Sequence, residues 1–285
     1  MNILLSKLSI LIILIFTLTS CEKMVTDVDV PASPAKLVVI GFITPSMPYT
    51  SVEVLKSKPL YTITNGSADI PNIVEDAFVS ISDGTDSAYL LYDSRYRSYR
   101  VSREEFQIVP GKTYYLRVTA TGGYLAEASC TVPDINPPVI ELVSLDTTSY
   151  ITPPILHANV KFKDHKGDGD YYCIKVGLVS WVEGQVGPSL NEVGFSRGDS
   201  YVSDKNKEED YFSYTTNDFT KTVSGPFRLY FTISTTDINY FYYHKELINY
   251  DDSNPFAEPI PIYSNVKGGL GVFAAYVQTG IAFDL

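Results

Sequence analysis

Three short stretches of this 285-residue chain carry residue types whose spacing could do chemistry. The first is Asp164-His165-Lys166-Gly167-Asp168-Gly169-Asp170, three carboxylates and an imidazole around two glycines. Closely spaced carboxylates suit calcium, which takes roughly six to eight oxygen ligands. The bidentate glutamate and flanking helices of an EF-hand are missing, and Asp and Gly favour a solvated hairpin turn equally well. Asp164, Asp168 and Asp170 are therefore weak calcium candidates beside the reading of a plain turn, and His165 stands too much alone for a transition metal.

The second stretch, Gly194-Phe195-Ser196-Arg197-Gly198, has the Gly-x-Ser-x-Gly spacing of a nucleophile elbow, for which His244 and Asp218 are available partners. Such an elbow needs a strained strand-to-helix turn above a parallel sheet. The residues after Ser196 are loop-like and the chain has no strand–helix alternation, so a chance match is the expectation. The third, Gly111-Lys112-Thr113, lacks the earlier glycine of a phosphate loop, since Phe106 occupies that position. Clustered tyrosines (Tyr92, Tyr96, Tyr99 and Tyr240, Tyr242, Tyr243) suit either sugar stacking or a core edge with wet hydroxyls. No catalytic residue, resident metal or cofactor is assigned, and the chain reads as non-enzymatic.

A fourth feature concerns covalent chemistry. Lys7 precedes an apolar run over 8–19, and Leu18-Thr19-Ser20-Cys21 ends it. The run fits the roughly 7–15 apolar residues of a secretory signal and falls short of the roughly 20 of a membrane span. A branched apolar residue, two small residues and a cysteine resemble a bacterial lipobox. Cys21 is thus the expected lipidation site, with residues 1–20 a cleaved signal. Two or three acyl chains anchor firmly, because each buried methylene contributes about 0.8 kcal/mol.

The formal net charge is −11, and loss of Lys7 with the signal makes the remainder one unit more negative. An acidic chain is repelled by phosphate backbones, which argues against nucleic acid as a partner. Aromatics are abundant (22 Tyr, 14 Phe), while Met, Cys and His number three each. With many Thr and Val, that profile favours exported β-structure. Cys130 and Cys173 each lie within a strand-like run, so burial as small apolar side chains is expected over a disulfide.

Periodicity and turn residues give the elements. Residues 21–35 contain Pro31 and Pro34 with no apolar period and read as a flexible tether. The runs 36–43, 51–57 and 76–84 read as strands, 88–102 as a hairpin turning at 95–97, and 110–133 as two strands reversing at Gly122-Gly123. The stretch from Pro110 to Val118 resembles the late strands of fibronectin type III and immunoglobulin-like domains. An all-β fold is expected: a sandwich over 36–133, then a boundary at the proline-rich 132–139. A second β-rich domain over 134–285 would carry one short helix, capped by Thr236 or Asp237. Residues 183–218 read as a long polar loop or excursion, and "VFAAYV" near the end as a closing strand.

Taken together, the lipobox, "KLVVIGFI", "EDAFVSISDG", "PGKTYYLRV", "CTVP", "DGDYYCIKV" and above all "NPFAEPIPIYSNVKGGLGVFAAY" are similar to a family of exported Bacteroidota lipoproteins. Its members contain a domain of unknown function and are encoded beside TonB-dependent outer-membrane transporters. The resemblance implies a lipid-anchored outer-membrane protein working with a transporter barrel, and supplies no catalytic residue. The expected function is an accessory or ligand-binding partner of that transporter; the alternative is a surface adhesin or glycan-binding lipoprotein. Asn254, Pro255, Phe256, Gly268 and Gly269, like the 183–218 segment, are candidate contacts to a partner; the other reading of 254–273 is a cross-over that merely seals a sandwich.

Overall fold

The computed structural model describes residues 34–58, 72–149, 152–167, 169–181, 187–205, 210–220, 227–250 and 261–285. The expected signal, Cys21 and nearly all of the tether lie outside them, as do Asp168, Asn254, Pro255 and Phe256. The fold is mostly β with one short helix among the described residues.

Seven strands form the first half: β1 (Leu37–Ile43), β2 (Tyr49–Lys56), β3 (Phe78–Ser82), β4 (Ser87–Asp93), β5 (Ser98–Ser102), β6 (Thr113–Ala120) and β7 (Tyr124–Thr131). β1, β2 and β5 make one layer, and β4, β3, β6 and β7 the other, with the end of β4 also pairing β5. This is the strand order of a fibronectin-like sandwich. Alternation drives it: Tyr114, Leu116 and Val118 of β6 are buried while Tyr115 and Arg117 face water. Val52, Val54, Tyr99 and Val101 meet Val79, Ile81, Leu90 and Cys130 across the interior. The reversals fall at residues able to adopt positive φ, namely Gly122 (94°), Gly123 (80°) and, between β4 and β5, Arg97 (54°).

The second half contributes β8 (Ile140–Ser149), β9 (Ile155–Lys163), β10 (Tyr171–Ser180), β11 (Ser189–Glu192), β12 (Phe195–Arg197), β13 (Tyr201–Ser203), β14 (Tyr211–Thr216), β15 (Phe219–Thr220), β16 (Phe227–Thr236), helix α1 (Ile238–Asn249) and β17 (Gly269–Asp284). β8, β9, β14, β15 and β12 form a five-stranded sheet packed against β10 and β16 through Phe162, Tyr172, Phe212, Leu229 and Phe231. α1 covers the opposite face, where Tyr240 and Phe241 pack with Cys173, Tyr201, Val272 and Ala274. With both faces covered, β10 is buried almost continuously.

Two sequence expectations change here. The 183–218 segment is not a loop: it contains β11, β12, β13 and β14, and β14 lies between β9 and β12. Its polar composition hides a short period-two signal, Phe212 and Tyr214 buried against exposed Ser213. The acidic turn at 164–170 is no hairpin, because β9 and β10 belong to different sheets and the turn crosses between layers. The strand expected at "VFAAYV" is present, as part of β17. Sixteen residues long, it runs parallel to β1 over Gly269–Ala275 and antiparallel to β16 over Tyr276–Asp284. Phe273 and Ala275 thereby enter the interior of the first sandwich, Val272 and Ala274 the helix-covered layer, and Ile281 and Phe283 the second interior. The proline-rich stretch that marks the expected boundary has no regular structure from Pro133 to Val139, yet the sheet is continuous from β7 to β11.

Candidate functional site

Three places hold side chains whose arrangement exceeds what packing requires. The first is the outward face of β4, β3, β6 and β7. Phe78 and Leu91 are each 74% exposed and Tyr89 72%. Register carries an apolar row across the sheet, since Phe78 lies opposite Thr119 and Thr119 opposite Leu125. Phe78, Tyr89, Leu91 and Tyr92 share one open hollow of about 450 Å³. The Tyr92 hydroxyl donates to Glu75 at its rim (3.0 Å). Beside the apolar row, Arg117 pairs with Glu127. Large apolar side chains grouped on one sheet face, rimmed by charge, have a contact surface's composition.

At the β4–β5 end of the same sandwich the Arg100 guanidinium lies 4.2 Å from the ring centre of Tyr49 and 4.0 Å from that of Tyr96. Asp93 completes it at 3.5 Å. Of the first tyrosine cluster, Tyr99 is buried, its hydroxyl donating to the Val74 carbonyl (2.8 Å) and accepting from the Ala77 amide (2.7 Å). Only Tyr96 of that trio is freely presented. In the second cluster Tyr240 is core, and Tyr242 is the exposed member.

The third place is acidic. Asp164 and Asp170 flank the layer-crossing turn, and the structure brings Asp204 between them, one carboxylate oxygen of each lying within 4.8 Å of the others. Asp204 comes from the residue after β13, whose pairing of Tyr172 with Val202 and Tyr171 with Ser203 delivers it beside Asp170. Sequence reading misses it because "SDKN" looks like loop. The available signal is Tyr201-Val202-Ser203 just before it, too short to read alone. The Tyr172 hydroxyl donates to Asp164 Oδ1 (2.8 Å) and lies 3.0 Å from His165 Nδ1. Burial, then the Asp204 charge, pushes the Asp170 carboxyl up. Burial and the Asp164 hydrogen bond likewise push the Tyr172 phenol up.

The nucleophile-elbow residues are not brought together. Ser196 sits on the edge strand β12 with its hydroxyl donating to the Thr216 carbonyl (3.0 Å). Asp218 instead accepts from Thr148 (3.1 Å). His244 stacks on Tyr240 at 4.1 Å between ring centres, its Nδ1 donating to the Tyr240 carbonyl (2.9 Å), and burial lowers its pKa. Both Cys130 and Cys173 are buried free thiols, with burial pushing each up. Of the C-terminal candidates, Gly268 and Gly269 are close-packed: a Cβ on either would overlap the carbonyl oxygen of Leu125 or Leu37. Asn265 ties this segment down, donating to the Phe273 carbonyl (2.7 Å) and accepting from the Phe273 amide (2.9 Å).

The helix behind these sites carries a pH-dependent element. Asp237 caps α1 by accepting from the Tyr240 amide (2.8 Å), and burial raises its pKa to about 6. The folded state therefore holds this proton more tightly than the unfolded chain, whose value is 3.8. Its contribution is present below about pH 4 and is lost as pH rises through about 6. Asp237→Asn keeps the cap without the charge. Chemical denaturation between pH 4 and 7 should show the wild type losing on the order of 2 kcal/mol more than the variant.

Together the fold and these places define an all-β protein with a fibronectin-like first half and an apolar outward sheet face. The chain belongs to the family described as Domain of unknown function (DUF4249), which matches residues 25–281. No curated protein matches it.

Proposed function

We propose that this protein is an outer-membrane lipoprotein of Bacteroidota type, anchored through Cys21, that serves without catalysis as an accessory or ligand-binding partner of a TonB-dependent transporter. The observation that carries the reading is the outward face of β4, β3, β6 and β7, where Phe78, Leu91 and Tyr89 are each about three-quarters exposed. Leaving such side chains in water forgoes roughly 1.5–3 kcal/mol apiece, which a partner surface would recover. The lipobox and the stretch between it and β1 supply the rest. A tethered binder stays at high effective concentration near a barrel in the same membrane, so a modest interface suffices.

The test is affinity recovery of the tagged protein from gently solubilised outer membrane, wild type beside Phe78→Ser/Leu91→Ser. Stoichiometric recovery of a TonB-dependent barrel with the wild type, reduced at least tenfold with the double variant, is expected. Recovery of the lipoprotein alone after crosslinking at low salt would end the accessory reading.

One observation favours a second reading, a glycan-binding surface protein: the Tyr49–Arg100–Tyr96 stack presents an exposed ring beside a cation, an arrangement suited to an acidic sugar. It requires saturable binding to purified polysaccharide without any transporter, lost in Tyr96→Ala.

A further inference from the structure

Crowded carboxylates are costly unless something neutralises them. Asp204 is 2% exposed. Its Oδ1 accepts from the backbone amides of Gly169 (2.8 Å) and Asp170 (2.9 Å). Its Oδ2 is buried with no hydrogen-bond partner. Beside it are Asp170 and Asp164, one oxygen of each within 4.8 Å. The Tyr172 hydroxyl has a single proton, which serves Asp164 at 2.8 Å and leaves Asp170 Oδ2, 3.3 Å away, without it. Among the described residues no lysine or arginine forms an ion pair with any of the three. An orphaned carboxylate oxygen of this kind, buried and facing two further carboxylates, lacks a positive partner.

We propose that Asp164, Asp170 and Asp204 form a calcium site that joins the layer-crossing turn between β9 and β10 to the end of β13. The donor set is all oxygen, which selects a hard cation over zinc or copper. Oxygens within 4.8 Å of one another can be spanned by two bonds of about 2.4 Å, the length calcium uses. Magnesium demands shorter bonds and near-ideal octahedral geometry, which three carboxylates from two separate segments, one pinned by backbone amides, are poorly placed to supply. Asp204, outside the 164–170 motif, is the ligand that turns an Asp/Gly turn into a site. The inference does not depend on the accessory role: the ion would staple the second half of the molecule whatever partner the outward face takes.

The test uses the purified full-length protein in detergent, stripped with chelator and titrated with CaCl₂ or MgCl₂, by calorimetry and by thermal unfolding. One calcium per chain is expected, with Kd on the order of 0.1–1 mM as in extracellular modules. A tenfold excess over that Kd should raise Tm by roughly 3–5 °C. Asp204→Asn, which retains an acceptor for the two amides, and Asp170→Asn should each weaken binding more than tenfold; Asp146→Asn, an exposed acid elsewhere, should not. If Asp204→Asn does not fold, the half-exposed Asp164→Asn carries the comparison. No saturable binding up to 10-fold above that range would overturn the proposal, as would cluster variants that bind like wild type. Equal response to magnesium at the same concentrations would overturn the choice of calcium.

Discussion

Gly271→Ala is expected to destabilise the protein by about 4 kcal/mol. Gly271 has φ 99°, a conformation in which an L side chain is strained by roughly 1–2 kcal/mol. Its Cβ would also overlap the carbonyl oxygen of Val39, its partner in the parallel β1–β17 ladder. Backbone cannot swing aside as a flexible side chain can, so the ladder itself must open. That ladder joins β17 to the first sandwich and holds Phe273 in the first interior. Gly123→Ala is the control: φ is 80°, yet nothing lies within 4 Å of a Cβ there, so only the strain of roughly 1–2 kcal/mol is expected. Urea titrations of both variants separate the two contributions. Equal midpoints would mean that the close approach of β17 to β1 is unimportant.

Phe162→Ala is expected to cost about 3–5 kcal/mol, a large part of the roughly 5–15 kcal/mol by which domains are stable. Phe162 is fully buried on β9 and meets Tyr172, Phe212 and Tyr214 at ring-centre distances of 5.3, 4.9 and 5.9 Å. Truncation leaves a cavity against three large rings that strand pairing prevents from collapsing inward. The more informative result lies elsewhere in the chain. Because β17 pairs β1 with one half of its length and β16 with the other, loss of the second interior should loosen the first. Hydrogen exchange should therefore speed up at β1 as well as at β9 and β16 in this variant. Acceleration confined to residues 140–250 would show the two halves to be energetically independent.

Much of the fold is legible in local sequence, for identifiable reasons. Most of the strands before residue 133 announce themselves by period-two alternation between turn residues that tolerate positive φ. The helix announces itself by an Asp cap and tyrosines near helical spacing. Both signals are short-range, and short-range physics writes them into neighbouring letters. The strands at 189–216 read as loop because their few buried residues, Phe212 and Tyr214 among them, are diluted by serine, threonine and asparagine. Their burial depends on the facing sheet, which local letters do not encode.

The candidate sites divide along the same line. The lipobox-like stretch is a linear motif of neighbouring letters, so sequence suffices to nominate Cys21 as a lipidation candidate. Crowding in one turn nominates Asp164 and Asp170. Asp204, 34 residues beyond Asp170, reaches them only through the β10–β13 pairing, and its buried orphan oxygen exists only in three dimensions. The apolar outward face likewise becomes visible only when register places Phe78, Tyr89 and Leu91 on one side of a sheet. In sequence, the alternation of "FVSIS" sets Phe78 on the face of Ser80 and Ser82, but "AYLLYD" reads the same whether Leu91 points into a core or away from it. The letters determined strands, turns and a cap, because those depend on neighbours in the chain. The long-range pairing of β17 with β1 and of β13 with β10 decided which surfaces were left exposed and which carboxylates were forced together.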